Sequence, residues 1–456
     1  MSKRLFGTDG VRGEANVGLT ALLAMQLGAA AGTLLARQSG HFAPAVIIGR
    51  DTRLSGQMLE AALSAGFSSV GVHVLSLGVA PTPSVSRAVI LEGAIGGAVI
   101  SASHNPFRDN GIKFFGSDGR KLPDATEDEI ACLVDGFHEL TRATGSDVGT
   151  VLYNDELLLG VKDALRATMV SHEKKPLAGL KLVVDCANGA AYHIAPELLR
   201  DLGAEVDVIH DKPDGMNINL QCGSTHPHEM AARTREIGAD AGLAFDGDAD
   251  RVIMANHRGD VVDGDHMMAV LAIDLKNRGE LNGNRVIATI MSNAGLERLL
   301  ATHDIDLLRT DVGDRYVAQA MDEYGASLGG EQSGHILLPA VTPTGDGLAT
   351  ALQILGVMTR TNKQLAELTE DLKVFPQLLR NVKVASSAGW NQDPHIVAAI
   401  NEQRDRFPNP QWLSVRPSGT EPLLRVMAQA EEAELVEGAV AHICDVIQQR
   451  LGSGVQ

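Results

Sequence analysis

The chain is poor in aromatic residues, which make up 4% of its 456 residues and include only two tryptophans. It has four cysteines, Cys132, Cys186, Cys222 and Cys444. None forms a C-x-x-C pair, which argues against a zinc site and against a disulfide framework and predicts small buried or idle thiols. No apolar run approaches the eighteen or so residues of a membrane span. The opening MSKRLFGTDGVRGEANVG carries two basic residues with no apolar segment behind them, unlike a secretory signal, so a cytoplasmic protein without a membrane partner is expected. Positive charge is scarce as well: 39 Lys and Arg stand against 57 Asp and Glu, a net charge of -18. That balance works against nucleic-acid binding, which depends on neutralising phosphates. Any anionic ligand must be held by a local basic site.

A chain of this length is too long for one core and divides into several domains. A strand, helix, strand pattern recurs three times. It runs through AVIIG (45–49), an amphipathic stretch over 55–70 and VHVL (72–75); through KLVVD (181–185), a helix over 194–202 and VDVI (206–209); and through RVIATI (285–290), a helix over 295–300 and IDLL (305–308). Continuous apolar strands alternating with amphipathic helices predict α/β units with largely parallel sheets covered on both faces. Each unit ends in a polar loop, and open α/β sheets bind ligands at the carboxyl ends of their strands, so the loops are expected to converge on one cleft. From about Leu372 the pattern changes to a small α+β domain. The expected divisions are 1–150, 151–256, 257–372 and 373–456.

Four loops carry candidate chemistry. DGDADR, from Asp246 to Arg251, sets three carboxylates on alternate residues directly after an apolar strand. Two carboxylates about 5 Å apart repel by roughly 3 kcal/mol at an effective dielectric of 20, so converging carboxylates call for a cation, and oxygen-only ligands favour Mg²⁺ or Ca²⁺. An EF-hand reading fails, because Arg251 and His257 stand where that loop needs Gly and Glu. SASHNPFRDNGIKFF, from Ser101 to Phe115, places Ser103 and His104 at a strand-to-loop break, with Lys113 in what reads as a basic DNGIK turn. A hydroxyl nucleophile needs a base and a charge stabiliser, and either His104 or Lys113 can assist. RPSGTEPLLR offers Arg416, Ser418, Gly419, Thr420 and Arg425 to a phosphate. GEQSGH, with Glu331, Ser333 and His335, suits sugar hydroxyls. GTDGVRG and GRDTRLSG add Arg12, Arg50 and Arg53, with Ser55 expected as a helix N-cap. Taken singly, each of the last four also reads as a polar turn or cap. A D-x-D phosphatase using Asp246 as nucleophile is a rival, although its fifth position is normally Thr or Val rather than Asp250.

In the order SASHNP, DGDADR, GEQSGH and RPSGTEP, the chain resembles the α-D-phosphohexomutases over essentially its whole length. The segments GTDGVRG, NINLQCGSTHP (217–227) and VGDRYV (312–317) look most like the bacterial phosphoglucosamine mutase branch. The resemblance implies four domains around a central cleft, the fourth closing RPSGTEP over the sugar phosphate. It implies a phosphoserine at Ser103, and one Mg²⁺ held by Asp246, Asp248, Asp250 and the Ser103 phosphate. Arg12 and Lys113, with His104 and His335, would serve proton transfer and charge stabilisation. Arg251, Glu331 and Ser333 would contact the sugar, and Arg416, Ser418, Gly419, Thr420 and Arg425 would grip the phosphate that is not reacting. The implied reaction interconverts glucosamine 6-phosphate and glucosamine 1-phosphate through a hexosamine 1,6-bisphosphate, towards UDP-N-acetylglucosamine and cell-wall precursors, in a monomer or homodimer. One departure is Asp311, where relatives often carry Lys.

Overall fold

A computed structural model describes residues 4–7, 9–154, 156–171, 173–418 and 422–452. The chain forms two compact units: Met1–Leu281 with Ser327–Thr369, and Asn282–Ala326 with Glu370–Gln456. Among the described residues no helix is long and apolar enough to cross a membrane.

The first unit holds two mixed sheets. The six-stranded one runs, edge to edge, through Val11–Glu14, Asp109–Gly116, Gly96–Ile100, Ala45–Arg50, His73–Val79 and Val151–Tyr153. Ala45–Arg50 lies parallel to both its neighbours, while Asp109–Gly116 runs antiparallel to Gly96–Ile100. Val46, Ile47 and Ile48 are all fully buried, as expected of a central strand with both faces covered. The helices Ala21–Ser39 and Gly56–Ser69 pack closely on this sheet's domain because Gly28 faces the Leu63 carbonyl; a Cβ there would sit 2.2 Å from that oxygen. The five-stranded sheet has the order Val261–Val262, Val252–Asn256, Ala241–Phe245, Lys181–Asp185, Glu205–Ile209. Its centre is again apolar and buried, and the aspartate loop follows directly from Ala241–Phe245. The hairpin of Gly329–Gly330 and Ile336–Leu337 carries the GEQSGH loop.

Two local expectations are corrected. DNGIK is not a turn: it lies in the strand Asp109–Gly116, with Lys113 opposite Val99. The reversal instead occupies 102–108, where Asn105 N donates to the Ala102 carbonyl and Asp109 N to that of Pro106. Ser55 precedes the helix Gly56–Ser69 but makes no side-chain cap; its hydroxyl accepts from Asn110 Nδ2 at 2.8 Å.

The second unit pairs the parallel strands Arg285–Thr289 and Asp306–Thr310. It also contains an antiparallel sheet, Gln377–Lys383, Leu423–Gln429 and Leu413–Pro417, with the helices Pro394–Arg404 and Ala433–Leu451. Ile396, Trp412, Val426 and Ile443 share its core. Trp412 Nε1 donates to Glu297 Oε2 at 2.9 Å, so the indole is buried with its one donor satisfied.

Candidate active site

Ser103 lies three residues beyond the strand Gly96–Ile100, in left-handed backbone conformation at φ 51°. A non-glycine residue there stores strain that its surroundings must sustain. They do so from several directions. Ser103 N donates to Ser101 Oγ at 2.9 Å, and Ser101 Oγ donates to Asp51 Oδ2 at 2.6 Å. Arg53, fully buried and paired with Asp51, donates to the carbonyls of Ser103 and Asn105, and Asn219 Nδ2 donates to the same two. Arg53 is therefore a buried brace rather than turn or cap chemistry.

The loop delivers the Ser103 hydroxyl to the carboxylates. Ser103 Oγ donates to Asp246 Oδ2 at 2.6 Å and lies 3.3 Å from His104 Nδ1. The tight turn after Ala241–Phe245 has Ala249 at φ 56° and closes with Ala249 N bonded to the Asp246 carbonyl. It brings one oxygen each of Asp246, Asp248 and Asp250 within 4.8 Å of one another, all three residues buried. Among the described residues, Asp248 Oδ1 and Asp250 Oδ1 are buried without a hydrogen-bond partner. Orphaned carboxylate oxygens cost free energy unless something positive meets them, so this all-oxygen set fits a hard divalent cation.

Cations already present flank the triad. Lys113 Nζ lies 3.1 Å from Asp248 Oδ2, 3.0 Å from Asp9 Oδ2 and 3.8 Å from Asp250 Oδ2. Burial works to lower its pKa, but Asp248, Asp9 and Asp250 outweigh it and hold the ammonium above the ordinary lysine value. Arg12 and Lys121 meet the same Asp9 carboxylate at 2.6 and 2.7 Å. Burial opposes ionisation of Asp9, yet Lys113, Lys121 and Arg12 keep it well below the usual carboxylate range. Asp246 goes the other way: burial first, then the charges of Asp250 and Asp248, push it well above its ordinary value. Asp250 is pulled down, against burial, by His335, Lys113 and Arg251.

His335 is buried, with Nδ1 3.7 Å from Asp250 Oδ1, and its ring lies so close over Gly345 that a Cβ there would be 2.3 Å from Nε2. Arg251 N donates to Asp246 Oδ1 at 3.2 Å, and its guanidinium lies 3.4 Å from His104 Nδ1. Burial, then the charges of Arg251 and Arg12, lower the pKa of His104. Ser333 is exposed and donates to Glu331 Oε2 at 3.2 Å. Ser103, His104, Lys113, Arg12, the three aspartates, Arg251 and His335 thus form one contiguous group. Asp9, Thr82, which donates to Asp248 Oδ2 at 2.6 Å, and Asn219 belong to it too; the sequence reading missed them. Asp9 sits inside GTDGVRG, three residues before Arg12.

In the second unit Arg416 and Arg425 oppose each other across neighbouring strands. Burial, then the Arg425 charge, lowers the pKa of Arg416, with Asp311 acting in the opposite sense. Among the described residues, Arg425 Nε is buried without a hydrogen-bond partner. Two like charges side by side suit a dianion. Ser418 N donates to the Leu423 carbonyl at 2.9 Å; Gly419 and Thr420 lie outside the described residues.

Models of phosphoglucomutase/phosphomannomutase domains I, II, III and IV match residues 3–139, 162–259, 263–375 and 379–446. A phosphoglucosamine mutase of Desulforamulus reducens is 48% identical over 97% of this chain and 99% of its own. One from Xanthobacter autotrophicus is 48% identical over 98% and 99%. The solved structure of a phosphoglucomutase/phosphomannomutase family protein from Burkholderia thailandensis has the same fold, with a TM-score of 0.81 at 24% identity over 100% of this chain and 99% of that one. The chain belongs to the phosphoglucomutase/phosphomannomutase family, on its phosphoglucosamine mutase branch.

Proposed function

We propose that the protein interconverts glucosamine 6-phosphate and glucosamine 1-phosphate, with Ser103 carrying the transferable phosphoryl group. The observation that supports this most is the Ser103 hydroxyl, 2.6 Å from a carboxylate of a buried triad in which Asp248 Oδ1 and Asp250 Oδ1 have no hydrogen-bond partner among the described residues. The named activity of relatives 48% identical over nearly the full length supports the choice of sugar.

In this reading the phosphoryl group leaves Ser103 Oγ for the free hydroxyl of the sugar phosphate, whose proton passes to a nearby acceptor, and a 1,6-bisphosphate results. Transfer of its other phosphate back to Ser103 Oγ releases the isomeric monophosphate. Asp246, Asp248 and Asp250 would hold one Mg²⁺, which when bound supplies charge neutralisation to the phosphoryl oxygens. A phosphoserine carries about -1.5 to -2 charges, and Lys113 and Arg12 are the fixed cations beside it. Because three carboxylates keep Lys113 charged, its role is to stabilise developing negative charge. His104, with its lowered pKa, is the neutral acceptor suited to the proton. His335 positions Asp250. Glu331 and Ser333 take sugar hydroxyls, with Arg251 beside them. Arg416, Ser418 and Arg425, with Gly419 and Thr420, take the idle phosphate. The division into domains at 150, 256 and 372 belongs to the same reading.

Intact-mass measurement before and after incubation with glucosamine 1,6-bisphosphate, followed by peptide mapping, tests it. One phosphoryl group on Ser103, together with turnover of glucosamine 6-phosphate, is expected. An unmodified Ser103 in both states and no turnover would overturn it.

A further inference from the structure

A second cluster lies at the carboxyl end of the strand Lys181–Asp185, and the mechanism does not use it. One donor atom each from Asp185, His210 and Cys222 falls within 4.8 Å of the others. Asp185 and Cys222 are fully buried, while the His210 side chain is 22% exposed and so gives access from solvent.

The alignment of these atoms is informative. His210 Nδ1 lies 3.1 Å from Asp185 Oδ1, an ion-pair contact that falls short of a well-aligned hydrogen bond. At that separation both atoms can serve as donors to one cation placed between them. Neighbouring donors on a tetrahedral ion with bonds near 2.0 Å are about 3.3 Å apart. On the far side of the ring, His210 Nε2 lies 3.4 Å from Glu229 Oε2. A carboxylate there would accept the Nε2 proton and leave Nδ1 as the lone pair, the outer-shell arrangement usual for metal-bound histidine. The Asp185 oxygens accept from Ala187 N and Gly223 N, each at 2.8 Å, and each keeps a second lone pair. His210 itself is held at φ 50°.

We propose that Asp185, His210 and Cys222 form a three-ligand site for a borderline divalent cation such as Zn²⁺, with Glu229 as its outer-shell carboxylate and a fourth position open to water. The absence of a C-x-x-C pair gave no hint of it, because its ligands come one each from three separate segments. The mixed sulfur, nitrogen and oxygen donors discriminate against Mg²⁺, which prefers oxygen, and so separate this site from the aspartate triad. Both loops it would tie also hold the aspartate loop: Ser224 N donates to the Phe245 carbonyl and Ala190 N to that of Gly247, each at 2.8 Å.

The test uses the full chain carrying Cys132→Ser and Cys444→Ser, the two less buried thiols, in excess Mg²⁺. Equilibrium dialysis against Zn²⁺ should leave about one ion per chain. Cys222→Ser and His210→Gln should each weaken retention at least a hundredfold, and Glu229→Gln about 10- to 100-fold. Co²⁺ in place of Zn²⁺ should give near-ultraviolet thiolate charge-transfer absorption that Cys222→Ser abolishes, a readout that needs no ligand variant to fold in order to be seen in the parent. No retained Zn²⁺, retention unchanged in both ligand variants, or a cobalt spectrum without thiolate absorption would each overturn the proposal. Mutase activity is not among the readouts, so its loss would not bear on this site.

Discussion

A lysine ammonium between three carboxylates cannot easily give up its proton, and Asp9 is the one of the three outside the aspartate loop. Asp9→Asn should leave Lys113 and Arg12 less firmly placed, lowering kcat about 10- to 100-fold with little change in KM, since positioning is what is lost. Steady-state kinetics on phosphorylated protein decides this; an equal rise in KM with kcat intact would mean that Asp9 serves binding instead. His104 must be neutral to accept a proton, and its pKa lies below the ordinary histidine value of 6.5. The acid limb of kcat/KM should therefore fall only below that pH, and His104→Gln should remove the limb along with roughly 10²-fold or more of the rate. A limb unchanged in His104→Gln would assign it to another group. Ser101 is no stand-in for its neighbour, because its hydroxyl is committed to Asp51 at 2.6 Å and is fully buried. Ser103→Ala should accordingly carry no phosphate on any serine of the loop when mapped by mass spectrometry, and lose turnover.

At the scale of elements, the sequence was legible where physics is local. Runs such as Ala45–Arg50 and Ala241–Phe245 declare buried strands by their own residues, and the polar loops that follow declare themselves by contrast. What stayed hidden are pairings between distant segments: Thr82 with Asp248 across 166 positions, Asn219 with the Ser103 carbonyl across 116. Ser55 shows the same limit at close range, since its hydroxyl met a competing partner, Asn110, that the local cap pattern does not contain. Asn-Gly favours a turn, but main-chain pairing of Lys113 opposite Val99 wins over that preference. The loop that holds the aspartates also depends on a residue without a side chain. A Cβ at Gly247 would lie 2.6 Å from the Ser103 carbonyl oxygen and 2.8 Å from both Asn219 Nδ2 and Ile218 Cδ1. Gly247→Ala should push the phosphoryl loop and the aspartate loop apart, reducing kcat at least tenfold and lowering Tm by several degrees. Wild-type rates in a variant that melts normally would contradict that contact.

For the molecule as a whole, a net charge of -18 makes the anionic substrate and the protein repel at long range, so function rests on how a few charges are concentrated. The aspartate triad concentrates charge at a cost. Asp246 titrates well above an ordinary aspartate because of burial and its two neighbours. A carboxyl whose folded pKa is raised stabilises the fold in its protonated form. That contribution is complete below the unfolded value near 3.9 and is lost as pH rises through the raised folded value. At pH above that raised value, dephosphorylated protein stripped of metal carries a self-repelling triad, and Asp246→Asn should relieve it there, raising Tm in chelator by an amount equivalent to about 1 kcal/mol. Magnesium should then reverse the order. A ligand at a hundred times its Kd stabilises the folded state by about 2.7 kcal/mol, a gain open to the parent and closed to a variant lacking one carboxylate. Thermal melts of both proteins by circular dichroism, with chelator and with magnesium, give the four values required. A variant that melts below the parent in chelator, or that gains as much from magnesium, would mean that the triad is not strained by its own charge and does not hold the ion. The crossing of the two orders is expected because the same three carboxylates that repel one another are the ones proposed to hold the cation.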